Sequence, residues 1–389
     1  MLDALRRRDP ELLATTLADG SATTDLALRH VLTTQGLAPL IADIVAPTAS
    51  ASEPAPADPD GTAGWLALQL QQNRVRSSLF ATDLRAILAE ASASGLPVMP
   101  LKGSLLAFTR YRDPGLRPMA DLDLLIRPAD ERGVHELLGR LGYDLVRREH
   151  RHIVFRRPGD RVVAMDGTHP GNPRPVEIHT RLRRSVWADR GGVDIAPYLW
   201  AAGREQSLLG QPAFVPDDAA LLVDVASHAT YHLMRGSGTL LHWFDTAGLA
   251  AEVDLVDDVF ANWVYPNWVY PNWVYPNWVY PALALAARAF PDELLAKHVA
   301  RLAPSVGPDL ARLVERVPLD DRAGLNLRGV DVDRFGWWRK LWRYLRPNPW
   351  KVRLAYPSLP VHLAYPAYLG GVGGRAALRA MGAVARGGR

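Results

Sequence analysis

Residues 96–127, LPVMPLKGSLLAFTRYRDPGLRPMADLDLLIR, constrain the fold more than any other stretch of the chain. They read as strand, tight turn, short helix, loop and strand. Residues 96–101 form a short apolar run opened by a proline-containing turn, the pattern of a buried strand. Gly103 and Ser104 break it, and Leu105, Leu106 and Phe108 start helical spacing. After the Arg112-Asp113-Pro114-Gly115 turn, a second apolar strand carries Asp121 and Asp123. Residues i and i+2 of a strand share a face, so the two carboxylates project side by side while Leu122 and Leu124 point into a core. Adjacent carboxylates repel unless a cation lies between them, and hard divalent ions such as Mg²⁺ take oxygen ligands of this kind. The Gly-Ser turn at a helix start offers backbone N–H groups to a phosphate.

A chain of 389 residues, 48% of them apolar, can bury a sizeable core in two or three subdomains. The absence of cysteine excludes disulfides, thiolate catalysis and cysteine-based zinc sites. The N-terminus mixes charges and has no apolar h-region, so no signal peptide is expected. No window of about 18 apolar residues exists, so no transmembrane segment is expected either. The formal charge of +4 is compatible with an anionic substrate and does not demand nucleic acid. A cytoplasmic, bacterial protein is the default expectation.

Residues 1–45 read as two or three helices, and 46–64 as a flexible Pro/Ala/Ser/Asp linker. Residues 65–93 read as an amphipathic helix with Leu66, Leu70, Val75, Leu79, Leu84, Ile87 and Leu88 near helical spacing. Residues 128–141 form a helix closed by Gly142. Residues 143–146, 152–156 and 162–165 read as successive antiparallel strands, followed by a loop and the short strand 176–179. That strand places Glu177 and His179 on one face. Residues 207–215 read as a hairpin around Gly210, and Asp217 caps a long helix in which His228 and His232 stand at i and i+4. That pair raises the question of a metal, but no HExxH motif is present and no third ligand is evident, so polar packing beside the cleft is the favoured reading. Residues 262–281 are four copies of Asn-Trp-Val-Tyr-Pro, read as an extended or turn-rich excursion because proline recurs every fifth residue. Self-association or ligand binding through an aromatic ladder is the sharper alternative. Helices resume at 282–290, 292–302 and 308–317. Residues 335–353 carry six basic residues and no acid, and read as a helix packing Trp338, Leu341, Trp342 and Leu345 on the body or meeting an anionic partner. The Gly/Ala/Arg-rich tail reads as weakly helical or disordered.

The Gly-Ser turn followed by Asp-x-Asp on a strand resembles the signature of the DNA polymerase β-like nucleotidyltransferase superfamily. More narrowly, LKGSLLAFTRYRDPGLRPMADLDLLI resembles the uncharacterised bacterial nucleotidyltransferase family, whose long Tyr-x-x-Pro-x-x-Arg loop matches the spacing between Ser104 and Asp121. The resemblance spans roughly residues 66–250. It implies an α+β fold, with a small mixed sheet and flanking helices, N-terminal helices and a C-terminal helical domain. The implied division is 1–45 helical, 46–64 linker, 65–206 nucleotidyltransferase core, 207–334 helical domain with the 262–281 repeat, and 335–389 basic aromatic segment and tail. It also implies transfer of a nucleoside monophosphate from an NTP to a hydroxyl or amino acceptor, with two Mg²⁺ or Mn²⁺ ions. Asp121, Asp123 and Glu177 would be the catalytic carboxylates and metal ligands. Gly103 and Ser104 would cradle the triphosphate. Lys102 and Arg117 are phosphate contacts by charge, and His179 supports the strand or touches substrate. The acceptor class stays open between small molecule, protein and RNA. A toxin-like transferase acting on tRNA and a non-catalytic nucleotide-binding scaffold are the rival readings.

Overall fold

The computed structural model describes residues 22–45, 61–149, 152–164, 167–184, 193–235, 238–253, 274–306, 308–317, 352 and 363–370. Residues 335–351, the tail and most of the 46–64 linker fall outside these. Two N-terminal helices, α1 (Ala22–Gln35) and α2 (Ala38–Val45), precede the long α3 (Thr62–Ala93), which begins two residues before the linker was expected to end. Then come β1 (Met99–Pro100), α4 (Lys102–Thr109), β2 (Leu122–Leu125), α5 (Glu131–Arg140), β3 (Asp144–Arg148), β4 (Ile153–Arg156) and β5 (Val176–His179). The five strands form one mixed α+β sheet in the order β1-β2-β5-β4-β3, in which only the β2–β5 pairing is parallel.

The first strand is shorter than the apolar run 96–101. Pro100 has no N–H to donate, and Lys102 turns the chain with φ +47°, ending the pairing. Val98 instead receives the N–H of Phe214 at 3.0 Å. Through it the sheet edge meets the hairpin of β8 (Gly203–Leu208) and β9 (Gln211–Pro216), which follows the short strands β6 (Arg183–Arg184) and β7 (Val193–Asp194) and the helix α6 (Ala196–Ala202). The hairpin turns at Leu209 and Gly210, both at positive φ. The expected strand at 162–165 is absent among the described residues 162–164. The Asn172 side chain takes the N–H groups of Val163 and Ala164 and donates to Ala164 O, so this backbone needs no partner strand.

Behind the sheet lies α3, whose buried face is not the apolar stripe its leucines suggest. Val75 is exposed, while Gln69, Asn73, Arg76, Ser77 and Asp83 are buried with Leu66, Phe80, Leu84, Ile87 and Leu88. The polar members reach loop backbone: Asn73 donates to Gly115 O at 2.6 Å and Ser77 to Pro114 O at 3.1 Å. Asp83 pairs with both Arg157 and Arg174 at 2.8 Å.

A layer of mutually packed helices follows the hairpin. It contains α7 (Asp218–Arg235), α8 (Leu240–Ala250), α9 (Val274–Ala289), α10 (Glu293–Leu302) and α11 (Pro308–Glu315). Asp217 accepts the Ala220 N–H at 2.8 Å, closing the start of α7. The fourth Asn-Trp-Val-Tyr-Pro copy corrects the sequence reading, because it lies within α9 with Trp278, Val279 and Tyr280 buried. Pro276 sits in the first turn, where its missing N–H costs nothing, and Pro281 stands in the helix interior, where a proline costs about 3 kcal/mol through a lost bond and a clash with the carbonyl four residues back. Burying three large side chains, about 1.5–3 kcal/mol each, outweighs that loss. Residues 262–273 lie outside the described residues. No described helix is long and apolar enough to cross a membrane.

Candidate active site

The parallel β2–β5 pair assembles the site. Its register sets Asp123 directly beside Glu177 and Leu125 beside His179. Opposite residues of a pair share a face, so Asp123, Glu177 and His179 converge on one side of the sheet while Leu122, Leu124 and Ile178 fill the core. Ligand-capable atoms of Asp123, Glu177 and His179 all lie within 4.8 Å of one another. Asp121 stands just before β2, half-buried, and is not one of that closest trio. His179, read from the sequence as strand support or a substrate contact, stands within that trio.

Asp123 Oδ1 receives two partners, Lys102 Nζ at 2.8 Å and His179 Nε2 at 2.7 Å. Burial alone would raise this carboxyl, but Lys102 and His179 together hold it well below the ordinary carboxylate range. The two remaining acids behave oppositely. Burial, and then the charges of Asp123 and Glu177, push Asp121 up to about 8. Burial and Asp123 push Glu177 up to about 7. His179 is driven down to about 4 by burial and the Lys102 ammonium, so it is a neutral imidazole at neutral pH. Carboxyls that resist ionisation beside one another lack compensating positive charge, and a divalent cation supplies it.

Lys102 owes its position to its left-handed backbone, which folds the first turn of α4 back over β2. Ser104, expected to cradle phosphate, is fully buried, and its hydroxyl accepts the Asp123 backbone N–H at 2.8 Å. It therefore fixes β2 against α4. Gly103 has no room for a side chain: a Cβ there would lie 2.3 Å from Arg117 Nη1. Arg117 is itself committed to Asp245 of α8, through Nη2 at 2.7 Å and Nε at 3.2 Å to both carboxylate oxygens. Burial opposes its charge, yet Asp245 holds the guanidinium above its ordinary range. Tyr111 completes the group by donating to Asp245 Oδ1 at 2.7 Å. Arg117 thus binds the helical layer to the loop before Asp121, and the Trp243-Phe244-Asp245 segment is its receptor.

Two contributors escape sequence reasoning. Arg76 of α3 donates Nε to Met119 O at 3.2 Å, Nη1 to Asn172 O at 2.8 Å and Nη2 to Pro173 O at 2.8 Å. These carbonyls belong to the loops entering β2 and β5, so one guanidinium sets the relative position of the strands bearing Asp123 and Glu177. Burial and the charge of Arg174 lower it to about 10, still protonated at neutral pH. Its one sequence signal is an arginine on the otherwise inward face of α3. The second is His152, whose Nε2 lies 3.6 Å from Glu177 Oε2 and whose ring meets that of His179 at 5.6 Å.

Three acids and a buried lysine on a small mixed sheet, behind a turn into a short helix, make up a site suited to divalent ions and phosphate. The "Uncharacterised nucleotidyltransferase" family matches residues 25–264, more than half of the chain, and the chain belongs to that family. No curated protein matches it. Solved structures similar to parts of it include the antibiotic-resistance factor ANT(2'')-Ia in solution, at 14% identity over 46% of this chain and 86% of that one, with a TM-score of 0.33. They also include ANT(2'')-Ia in complex with adenylyl-2''-tobramycin, at 16% identity over 45% and 89%, TM-score 0.32. A third is an antigenic nucleotidyltransferase-like protein from Paracoccidioides brasiliensis, at 15% identity over 63% and 92%, TM-score 0.28.

Proposed function

We propose that this chain transfers a nucleoside monophosphate from an NTP to a hydroxyl or amino acceptor in a reaction dependent on Mg²⁺ or Mn²⁺. The observation that carries this reading is the convergence of Asp123 and Glu177 across the parallel β2–β5 register, with Asp121 at the mouth of β2. The donor set fits a hard cation, because the Asp123 and Glu177 oxygens are held close and burial beside other carboxylates pushes Asp121 up to about 8 and Glu177 up to about 7. Asp121, Asp123 and Glu177 would hold the ions, and His179 adds a nitrogen that Mn²⁺ accepts more readily than Mg²⁺. When bound, two such ions activate the attacking oxygen and stabilise the leaving group.

The chain's own groups account for the rest. The backbone N–H groups at the start of α4 face an anionic tail, and the helix dipole favours negative charge there. Lys102, 2.8 Å from Asp123 Oδ1, would pair with phosphate. The acceptor oxygen or nitrogen attacks the α-phosphorus, the bond to pyrophosphate breaks, and the acceptor proton passes to a Glu177 carboxylate oxygen.

The test is thermal unfolding with each NTP, with and without Mg²⁺ or Mn²⁺, on the wild type and on Asp121→Asn/Asp123→Asn. A ligand at a hundred times its dissociation constant adds about 2.7 kcal/mol. Metal-dependent stabilisation by at least one NTP, absent from the double variant, is the expected result. The identified NTP, labelled at the α-phosphate, is then offered to small polyols and amines, to protein and to tRNA. Label on RNA would select the tRNA-modifying reading. Absence of stabilisation by every NTP would reject the transferase reading in favour of a non-catalytic scaffold.

A further inference from the structure

A second cluster of metal-ligating side chains lies in the helical layer, outside the carboxylate site. His228 and His232 of α7 share one helical face by their i, i+4 spacing, and their Nε2 atoms are 3.0 Å apart. The tertiary fold adds the third ligand that the sequence lacked. His242, in the first turn of α8, stacks on His232 with ring centroids 4.7 Å apart and an interplanar angle of 27°, and lies 5.6 Å from the His228 ring. One ligand nitrogen from each of the three lies within 4.8 Å of the others, and all three residues are half-buried.

We propose that His228, His232 and His242 form a second metal site, one that takes a borderline transition ion such as Zn²⁺ on three imidazoles. Two nitrogens about 2.0–2.1 Å from a tetrahedral zinc stand about 3.3 Å apart, so the spacing of the first pair already fits. An all-nitrogen set selects against Mg²⁺ and Ca²⁺, which prefer oxygen, and suits zinc, cobalt, nickel or copper. The orientation of His242 is also prepared. Its Nδ1 accepts the Thr239 backbone N–H at 3.2 Å and lies 2.6 Å from Thr239 Oγ1, within the capping box that opens α8. That leaves Nε2 as the ligand atom. Binding a metal through Nε2 moves the ring proton to Nδ1, so the bond from the Thr239 backbone N–H is given up and Thr239 Oγ1 becomes the acceptor, the outer-shell hydrogen bond that ligating histidines commonly make. Three protein ligands leave the fourth position to water.

The site joins α7 to α8 one helical turn before Asp245, the receptor of Arg117. An ion there would therefore brace the helical layer at the point where it holds the active-site loop.

The test uses the full chain, stripped of metal and kept in excess Mg²⁺ so that the carboxylate site is filled. Titration with Co²⁺ should yield one equivalent bound, with the intense visible absorption of tetrahedral cobalt. Zn²⁺ should displace it and raise the unfolding temperature. Both the band and the thermal gain should be lost in His228→Asn and, separately, in His232→Asn, with circular dichroism reporting that each retains its fold. The two substitutions are read independently, so that one folded variant suffices. Octahedral-type weak absorption, or binding undiminished in a folded histidine variant, would overturn the proposal.

Discussion

Removing Asp245 tests how the helical layer is held to the catalytic loop. Its carboxylate accepts three hydrogen bonds from Arg117 and one from Tyr111, and the paired side chains are 11% and 3% exposed. At such burial solvent screening gives little relief. Asp245→Ala leaves a guanidinium and a phenol without their acceptor, and breaking one half of a buried pair costs about 3–5 kcal/mol. At about 2–4 °C per kcal/mol for a cooperative unit of a couple of hundred residues, the unfolding midpoint falls by about 6–20 °C. The measurement is urea and thermal unfolding followed by both circular dichroism and tryptophan fluorescence, so that coincident curves establish a two-state reading. Arg117→Leu/Asp245→Leu removes both charges and should recover a good part of the loss, because a buried ion pair and an apolar pair of similar volume are often close in stability. A cost under about 1 kcal/mol for Asp245→Ala, the size typical of an exposed pair, would refute the argument that this contact anchors the layer.

The remaining predictions concern the site and its supports. Burial and neighbouring carboxylates raise Asp121 to about 8 and Glu177 to about 7, so without metal their contribution to stability is fully present below about pH 4 and is lost progressively as pH rises from there to about 7–8. Mg²⁺ binding, which must displace these protons, should tighten over the same window by up to about tenfold per pH unit for each proton released, as read by calorimetry in buffers of different ionisation enthalpy. An affinity flat from pH 6 to 9 would contradict the assignment of these acids as ligands. Arg76→Met removes the charged donor that joins the loops before β2 and β5; it should cost at least about 1.5–3 kcal/mol in urea unfolding and weaken metal-dependent NTP stabilisation further than stability alone explains. Gly103→Ala places a methyl 2.3 Å from Arg117 Nη1, so it should destabilise the chain by about 1–3 kcal/mol, and that cost should shrink in an Arg117→Leu background.

Local chemistry is what the sequence settles. Alternation around Asp121 and Asp123 fixes which side chains face together, proline and glycine mark the turns, and helical spacing identifies α3, α5 and α7. Each of these depends on neighbours a few residues away, which the chain carries with it in any fold. Sequence reasoning went astray where a long-range partner overrode the local signal. Asn172 satisfied the backbone of an expected strand, and burial drew the last Asn-Trp-Val-Tyr-Pro copy into α9.

The arrangement of the site belongs to the tertiary structure. Only the parallel pairing of β2 with β5 brings Asp123 beside Glu177, only the packing of α3 lets Arg76 reach both entering loops, and only the apposition of α7 and α8 adds His242 to His228 and His232. The physical reason is common to all three. Periodicity determines the face on which a side chain lies, but which distant face it meets is decided by how whole elements bury their apolar surface against one another.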